Sequence, residues 1–426
     1  MSALNRRGFL TCCLAGGGLG LAACRLPAPR SGSLASARVV VAGAGFGGLN
    51  AAKTLKQLAP NLQVTLVERQ RQYTRCPGSN RVIAGIDPID ALVHDYDGSA
   101  QDLDIAVVRD SIVGVDARQK RVKLQMGSTL PYDRLIVAPG IDFRWDDIEG
   151  YSAATSQVVP HAWKGGEQTR LLRSQITSMR QGGTVLIAVP ENPYRCPPGP
   201  YERASLIAHY LSKHNPRAKV IILDAKTKFS KQPAFNQAWR QLYPGMIEWI
   251  SLEQEGKIDY IDTRNRVVHT EFNHHSADVL NVIPPQRAGD LARLAGLTDE
   301  SGWCPVDPLT FESTLQSGIH VIGDACSVAP MPKSAFSAHS QARVCGAASV
   351  ALLSGEAPAL PRLINHCYSF VDPFRAISVT GVYGYQTSGR SLVTLSSGET
   401  PPDGDWLREG VFAHDWYELI LEETFG

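Results

Sequence analysis

The residues of this chain best suited to redox or nucleophilic chemistry are its nine cysteines, at positions 12, 13, 24, 76, 196, 304, 326, 345 and 367. The last six form no Cys-x-x-Cys pair and no tight Cys/His cluster, so no zinc or iron–sulfur site is expected. Cys-x-x-Cys-His is absent too, and the chain is predicted to attach no c-type haem of its own. Disulfide formation, redox exchange and buried packing are all open to these thiols.

Redox thiols need an electron acceptor, and the first elements of the chain have the pattern that holds one. The apolar run 38–42 reads as a buried parallel strand by its length and its valines. Gly43-Ala44-Gly45-Phe46-Gly47-Gly48 follows directly, then a helical stretch to about 58 and a second strand over 64–68. In such a turn Gly43 permits the tight bend, Gly45 admits a pyrophosphate to the backbone, and Gly48 lets helix and strand pack closely. Amides at the helix start then face the phosphates. Glu68, 20 residues after Gly48 and followed by Arg69, stands where an acid meets the adenosine ribose.

Two later segments favour FAD over NAD. The run 132–140, ending in Gly140, resembles the strand and turn that close the first half of the FAD domain in flavoproteins with two dinucleotide folds. The run 319–325 resembles their second FAD motif, in which a strand ends in Gly323-Asp324 and the aspartate bonds the ribityl chain. Between them lies a second unit with a strand over 184–189, a helix over 203–213 and a strand over 219–224. Relatives that use NAD(P)H carry a glycine fingerprint after the first of these strands. Here residues 190–200 contain one glycine and five prolines. Proline removes N–H donors, and without glycine the backbone cannot approach a pyrophosphate. The unit is predicted to keep its fold and bind no NAD(P)H.

The expected fold class is therefore α/β: two Rossmann-like nucleotide-binding domains, as in glutathione reductase, plus a small C-terminal α+β interface domain. The expected division is 1–37 export signal and linker, 38–149 first part of the FAD domain, 150–285 second unit, 286–357 second part of the FAD domain and 358–426 C-terminal domain. A chain of 426 residues is long enough for several such cores. With 43% apolar and 19% charged residues it is globular, and a net charge of +1 without basic blocks argues against nucleic acid. Past the first 25 residues no apolar run is long enough to span a bilayer, so no transmembrane span is expected in the mature chain.

Asn5-Arg6-Arg7-Gly8-Phe9-Leu10 before an apolar stretch reads as a twin-arginine export signal, used by proteins that fold around a cofactor before crossing a membrane. Cleavage after Ala37, at Ala35-Ser36-Ala37, competes with a lipobox-like Leu21-Ala22-Ala23-Cys24 that would leave a lipid anchor on Cys24. Both place the mature protein in the periplasm.

Several longer runs resemble the flavoprotein subunit of flavocytochrome c sulfide dehydrogenase. They are Cys196-Pro197-Pro198-Gly199-Pro200-Tyr201-Glu202-Arg203-Ala204, Gly302-Trp303-Cys304-Pro305-Val306-Asp307, Gly323-Asp324-Ala325-Cys326, Met331-Pro332-Lys333-Ser334 and His366-Cys367-Tyr368-Ser369. The likeness covers about 38–426. It implies sulfide as substrate, FAD as cofactor and a c-type cytochrome subunit as electron acceptor. It also implies that Cys76 carries the flavin by a thioether, the plain alternative being a small buried thiol. Cys196 and Cys367 match the redox disulfide of the family; a structural staple closing a long loop is the competing reading. Glu202, six residues after Cys196, is either a proton-handling group at that disulfide or a helix-start acid. Lys333 is either a positive charge near the flavin or a solvated surface lysine. Trp416 either shields the thiols or packs the last helix. Cys304, Cys326 and Cys345 are expected to be buried packing residues. Two functional rivals stand beside this reading: sulfide:quinone oxidoreductase, and an accessory redox flavoprotein of a periplasmic sulfur-oxidising system.

Overall fold

The computed structural model describes residues 34–426. The expected export signal and Cys24 lie outside the described residues. Three sheets organise the rest. The first has eight strands. At its centre β1 (Arg38–Ala42) lies parallel to β2 (Gln63–Val67), which continues to β3 (Ala106–Val108), while β4 (Arg134–Val137) runs along its other side. Val39, Val40 and Val41 of β1 are at most 2% exposed, as expected of a central strand in a parallel sheet. Burying each of these side chains contributes about 1.5–3 kcal/mol. Between β1 and β2 runs α1 (Gly48–Leu58), which starts on the last glycine of the run.

The second sheet is built from β5 (Thr184–Val189), α2 (Gly199–His214), β6 (Lys219–Asp224), α3 (Gln232–Leu242), β7 (Ile247–Ile250) and β8 (Val279–Val282), in strand order β7-β6-β5-β8, all parallel. The helix expected from residue 203 begins at Gly199. Pro200 is tolerated there because a first-turn residue has no intrahelical acceptor for its missing N–H.

The chain then returns to the first sheet. β9 (Cys304–Asp307), β10 (Glu312–Ser313), β11 (Ile319–Val321) and β12 (Cys326–Ser327) extend it in the order β12-β9-β10-β11-β4-β1-β2-β3. β11 pairs in parallel with β4, which brings Gly323 and Asp324 to the same edge as the β1 turn. α4 (Ala335–Ser354) starts at Ser334, whose hydroxyl accepts from the Ser337 amide, and stops at Gly355 in the left-handed region. The third sheet is antiparallel: β13 (Arg362–Phe370), β14 (Ala376–Gln386) and β15 (Ser391–Glu399), followed by α5 (Trp406–Phe425). Among the described residues no helix is long and apolar enough to cross a membrane, and no group of three His, Cys, Asp or Glu could hold a metal ion.

Candidate active site

One cavity of about 720 Å³ runs from the β1 turn to the third sheet. At one end the turn is tight for stated reasons. Gly43 has φ +99°, and a Cβ on it would stand 2.6 Å from the Ala138 carbonyl oxygen. A Cβ on Gly48 would stand 1.9 Å from the Gly43 carbonyl oxygen, so neither position admits another residue. Glu68, just past the end of β2, accepts from the Ala44 amide of the turn at 3.2 Å and from the Gln70 amide at 3.0 Å. Gly45, Glu68, Arg69, Gly140 and Gly323 all line the cavity.

Midway, Asp324 lines the same cavity with its side chain 13% exposed, and its buried Oδ1 lacks a hydrogen-bond partner among the described residues. Burial pushes its carboxyl above the usual range, against the pull of Arg195 and Lys333. A buried carboxylate oxygen without a donor is costly unless a ligand supplies one. The glycine cradle, the acid beside it and this orphan oxygen together fit a dinucleotide with a polyol chain. Cys76 lies further along; its thiol donates to the Trp163 carbonyl at 2.9 Å, and Arg195 Nη2 is 3.4 Å from its sulfur.

The far end is built from thiols. Cys196 sits in the proline-rich turn after β5 with φ +58°, a left-handed conformation that costs a non-glycine residue about 1–2 kcal/mol. Two hydrogen bonds hold it there: its amide donates to the Lys333 carbonyl at 2.8 Å, and its carbonyl accepts from the Gly199 amide at 2.9 Å. Cys367 comes from the middle of β13. Both are free thiols that line this end of the cavity, close enough to interact. That interaction, then burial, raises Cys196 well above an ordinary thiol, whereas Cys367 is lowered by it against burial and with help from Lys231.

Glu202 stands beside them on α2, 7% exposed. It stands in the first turn of that helix. One oxygen accepts from the Phe370 amide at 2.9 Å and the other from Asn80 Nδ2 at 2.7 Å, tying three parts of the chain together. Burial raises its carboxyl above the ordinary range despite these two donors. Trp416 lines the cavity and packs against Phe336 and Tyr368 at ring distances of 5.8 Å.

The Lys333 side chain is half-buried and is not among the residues that line the cavity. The ammonium donates to the Asp324 and Cys326 carbonyls at 2.8 Å each and lies 3.7 Å above the Trp303 ring, since those acceptors and the ring satisfy a buried cation better than an open cavity does. What Lys333 gives the site is its carbonyl, which holds Cys196. A cation that does line the cavity beside Asp324 is Arg195, with Nη1 3.6 Å from Asp324 Oδ2. Its position directly before Cys196 was the only available signal. Cys304, Cys326 and Cys345 are buried, and burial pushes Cys304 and Cys326 to about 12, which leaves them inert thiols.

The acid of the second unit is covered instead. Asp224, at the end of β6, is fully buried and accepts from Tyr201 Oη at 2.6 Å and Trp249 Nε1 at 2.9 Å, with Lys226 Nζ at 2.5 Å. Tyr201 stacks on Phe229 at 3.7 Å.

Three family profiles match this architecture. Residues 37–175 match the pyridine nucleotide-disulphide oxidoreductases, residues 169–284 the central part of the sulfide dehydrogenase [flavocytochrome c] flavoprotein chain, and residues 359–425 the flavin-binding part of flavocytochrome c sulphide dehydrogenase. The sulfide dehydrogenase flavoprotein chain of Chlorobaculum thiosulfatiphilum is 53% identical over 45 residues, which is 11% of this chain and 94% of that one. The mitochondrial sulfide:quinone oxidoreductase of Dictyostelium discoideum is 23% identical over 365 residues, 81% of this chain and 75% of that one. The solved sulfide:quinone oxidoreductase of Aquifex aeolicus has the same fold, with TM-score 0.68 and 17% identity over 91% of both chains. A flavin-sized cavity closed by two cysteines thus coincides with these matches, and the chain belongs to the flavoprotein chains of flavocytochrome c sulfide dehydrogenase, FAD-binding oxidoreductases that act on sulfide.

Proposed function

We propose that this chain is the flavoprotein of a periplasmic sulfide dehydrogenase that oxidises hydrosulfide at Cys196 and Cys367 and passes electrons through FAD to a c-type cytochrome subunit. The observation that carries this reading is that Cys196 and Cys367, far apart in the chain, line the same end of the cavity that fits FAD. Gly43, Gly45 and Gly48 would hold the pyrophosphate, Glu68 and Arg69 the adenosine end, and Asp324 the ribityl chain, with Gly140 and Gly323 shaping the turns between. Cys76 would carry the flavin covalently, which keeps the cofactor in a compartment that cannot resupply it. FAD supplies a two-electron acceptor able to hand electrons on singly.

In the oxidised state Cys196 and Cys367 form a disulfide. Hydrosulfide attacks one sulfur; a new S–S bond makes a persulfide, the old one breaks, and its electron pair leaves on the other cysteine as thiolate. Glu202, kept neutral to higher pH than an exposed glutamate, is placed to hold a proton beside that exchange. NAD(P)H is not a substrate of this reading, because the turn is filled with proline and Asp224 is committed to Tyr201, Trp249 and Lys226. The twin arginines at 6 and 7 support export.

The test is anaerobic mixing of holoprotein with sulfide, followed by addition of either a c-type cytochrome or a short-chain quinone. Flavin bleaching and then haem reduction are expected. No bleaching, or transfer to quinone alone, overturns the assignment. In the same preparation, acid precipitation should leave the yellow colour in the pellet; colour in the supernatant removes the role of Cys76.

A further inference from the structure

The thiol end of the cavity has behind it a buried cation that the chemistry above does not use. Lys231 lies just ahead of α3 with φ +61° and is 1% exposed. Its Nζ reaches the third sheet, where it meets Ser369 Oγ at 2.8 Å, the Ile377 carbonyl at 3.2 Å and the Cys367 carbonyl at 3.4 Å. An ammonium has three protons, and these three acceptors match them one for one. Burial works against that charge, and nearby acidic groups work for it, the Cys367 thiol first among them.

A charge surrounded only by neutral acceptors in a dry interior is unfavourable unless an anion stands near it. Two carboxyls are within electrostatic reach, Glu399 and Glu202. Glu399 is exposed and bonded to the Lys231 and Ser230 main-chain and hydroxyl donors rather than to the ammonium. Glu202 is held toward its neutral form by burial. The remaining partner is the Cys367 sulfur, on the residue whose carbonyl Lys231 already holds.

We propose, resting on the reading of Cys196 and Cys367 as the reactive pair, that Lys231 is a positioning residue that makes Cys367 the ionised, nucleophilic sulfur of the reduced pair. The groups facing Cys367 are Cys196 and Glu202 from the second unit, Lys231 from the start of α3, its own neighbour His366, and Tyr417 from α5. Interaction with the Cys196 thiol lowers Cys367 most, burial opposes this, Lys231 adds to the lowering, and a charge on Glu202 would oppose it. The thiolate is thus present above the lowered value and lost as pH falls through it.

The test uses holoprotein reduced with dithiothreitol, alkylated with iodoacetamide from pH 5 to 10, with modified peptides counted by mass spectrometry. Cys367 is expected to react before Cys196, with a midpoint below the ordinary thiol value of about 8.5. Lys231→Met should move that midpoint up by about one to three pH units, and Lys231→Arg should keep it near wild type. Ser369→Ala removes one of the same three acceptors but leaves the charge, so it should lower the melting temperature without moving the midpoint. An unmoved midpoint in Lys231→Met, an equal shift in Ser369→Ala, or faster reaction of Cys196 in the wild type overturns the proposal. Sulfide bleaching of the same wild-type sample separates the two levels. Bleaching with an unmoved midpoint overturns the role of Lys231 alone; no bleaching overturns the reactive pair and this role with it.

Discussion

The chain contains the strand–turn–helix–strand–acid unit twice, and the two copies do opposite things with it. In the first, β1 leads through glycines into α1, and Glu68 after β2 bonds the turn's own amide at the edge of an open cavity. In the second, β5 leads through prolines and a left-handed Cys196 into α2, and Asp224 after β6 is buried under Tyr201, Trp249 and Lys226. Backbone geometry is shared; access to the backbone is not. A turn that exposes N–H groups suits a phosphate, whereas one that has given them up to proline can present a side chain instead, and here that side chain is a thiol. A nucleotide-binding unit can thus become a reagent holder by changing its turn and filling its acid pocket.

The sharpest way to separate the two units is to disable each turn. Cys196→Ser, and Cys367→Ser independently, should slow flavin bleaching by sulfide by at least about a thousandfold while the protein keeps its flavin spectrum. Gly48→Ala should do the reverse: with 1.9 Å to the Gly43 carbonyl oxygen there is no room for the methyl, so the flavin should be absent from purified protein while thiol titration still finds its cysteines. If Cys196→Ser bleaches at the wild-type rate, the second turn holds no reagent and the comparison fails.

The two acids should differ as strongly. Asp224→Ala strips a buried ammonium of its partner, and the expected loss is about 3–5 kcal/mol in urea unfolding. Glu68→Ala removes a half-buried acceptor of two backbone amides and should cost about 1 kcal/mol. Its larger effect should be on how quickly added FAD is taken up by apoprotein. Equal stability losses would mean that both acids are structural.

What could be read from the sequence was whatever is local. The valines of β1, the glycine turn, the acid after β2 and the proline-filled turn after β5 each announce themselves within about ten residues, because each follows from backbone sterics. The start of α2 was missed by four residues because Pro200 reads as a breaker, although at the second helical position it breaks nothing. Lys333 was placed by motif alone, and no motif states whether a side chain or a carbonyl faces the site. Lys231 and Asn80 were invisible for a deeper reason. Their partners lie 136 and 122 residues away, on a different sheet and a different helix, so their roles exist only once the third sheet has docked on the second unit.

Glu202 provides the finest test of how the thiol-bearing unit works, since it belongs to that unit's helix and has no counterpart duty in the first. Glu202→Gln keeps the shape and one acceptor, so the fold should survive, while flavin bleaching should slow by about a hundredfold. The pH dependence separates a proton-handling role from packing. Burial raises the folded value above the ordinary 4.5, so folding favours the neutral carboxyl. The stability this gives is fully present below 4.5 and is lost as pH rises through the raised value, whereas glutamine has nothing to lose. Wild type should therefore lose melting temperature relative to Glu202→Gln as the pH rises across that window. Its bleaching rate should carry a titration in the same window that the variant lacks. If rate and stability titrate identically in both proteins, Glu202 is only the bracket that joins Phe370 and Asn80 to α2, and the chemistry at this turn is carried by sulfur alone.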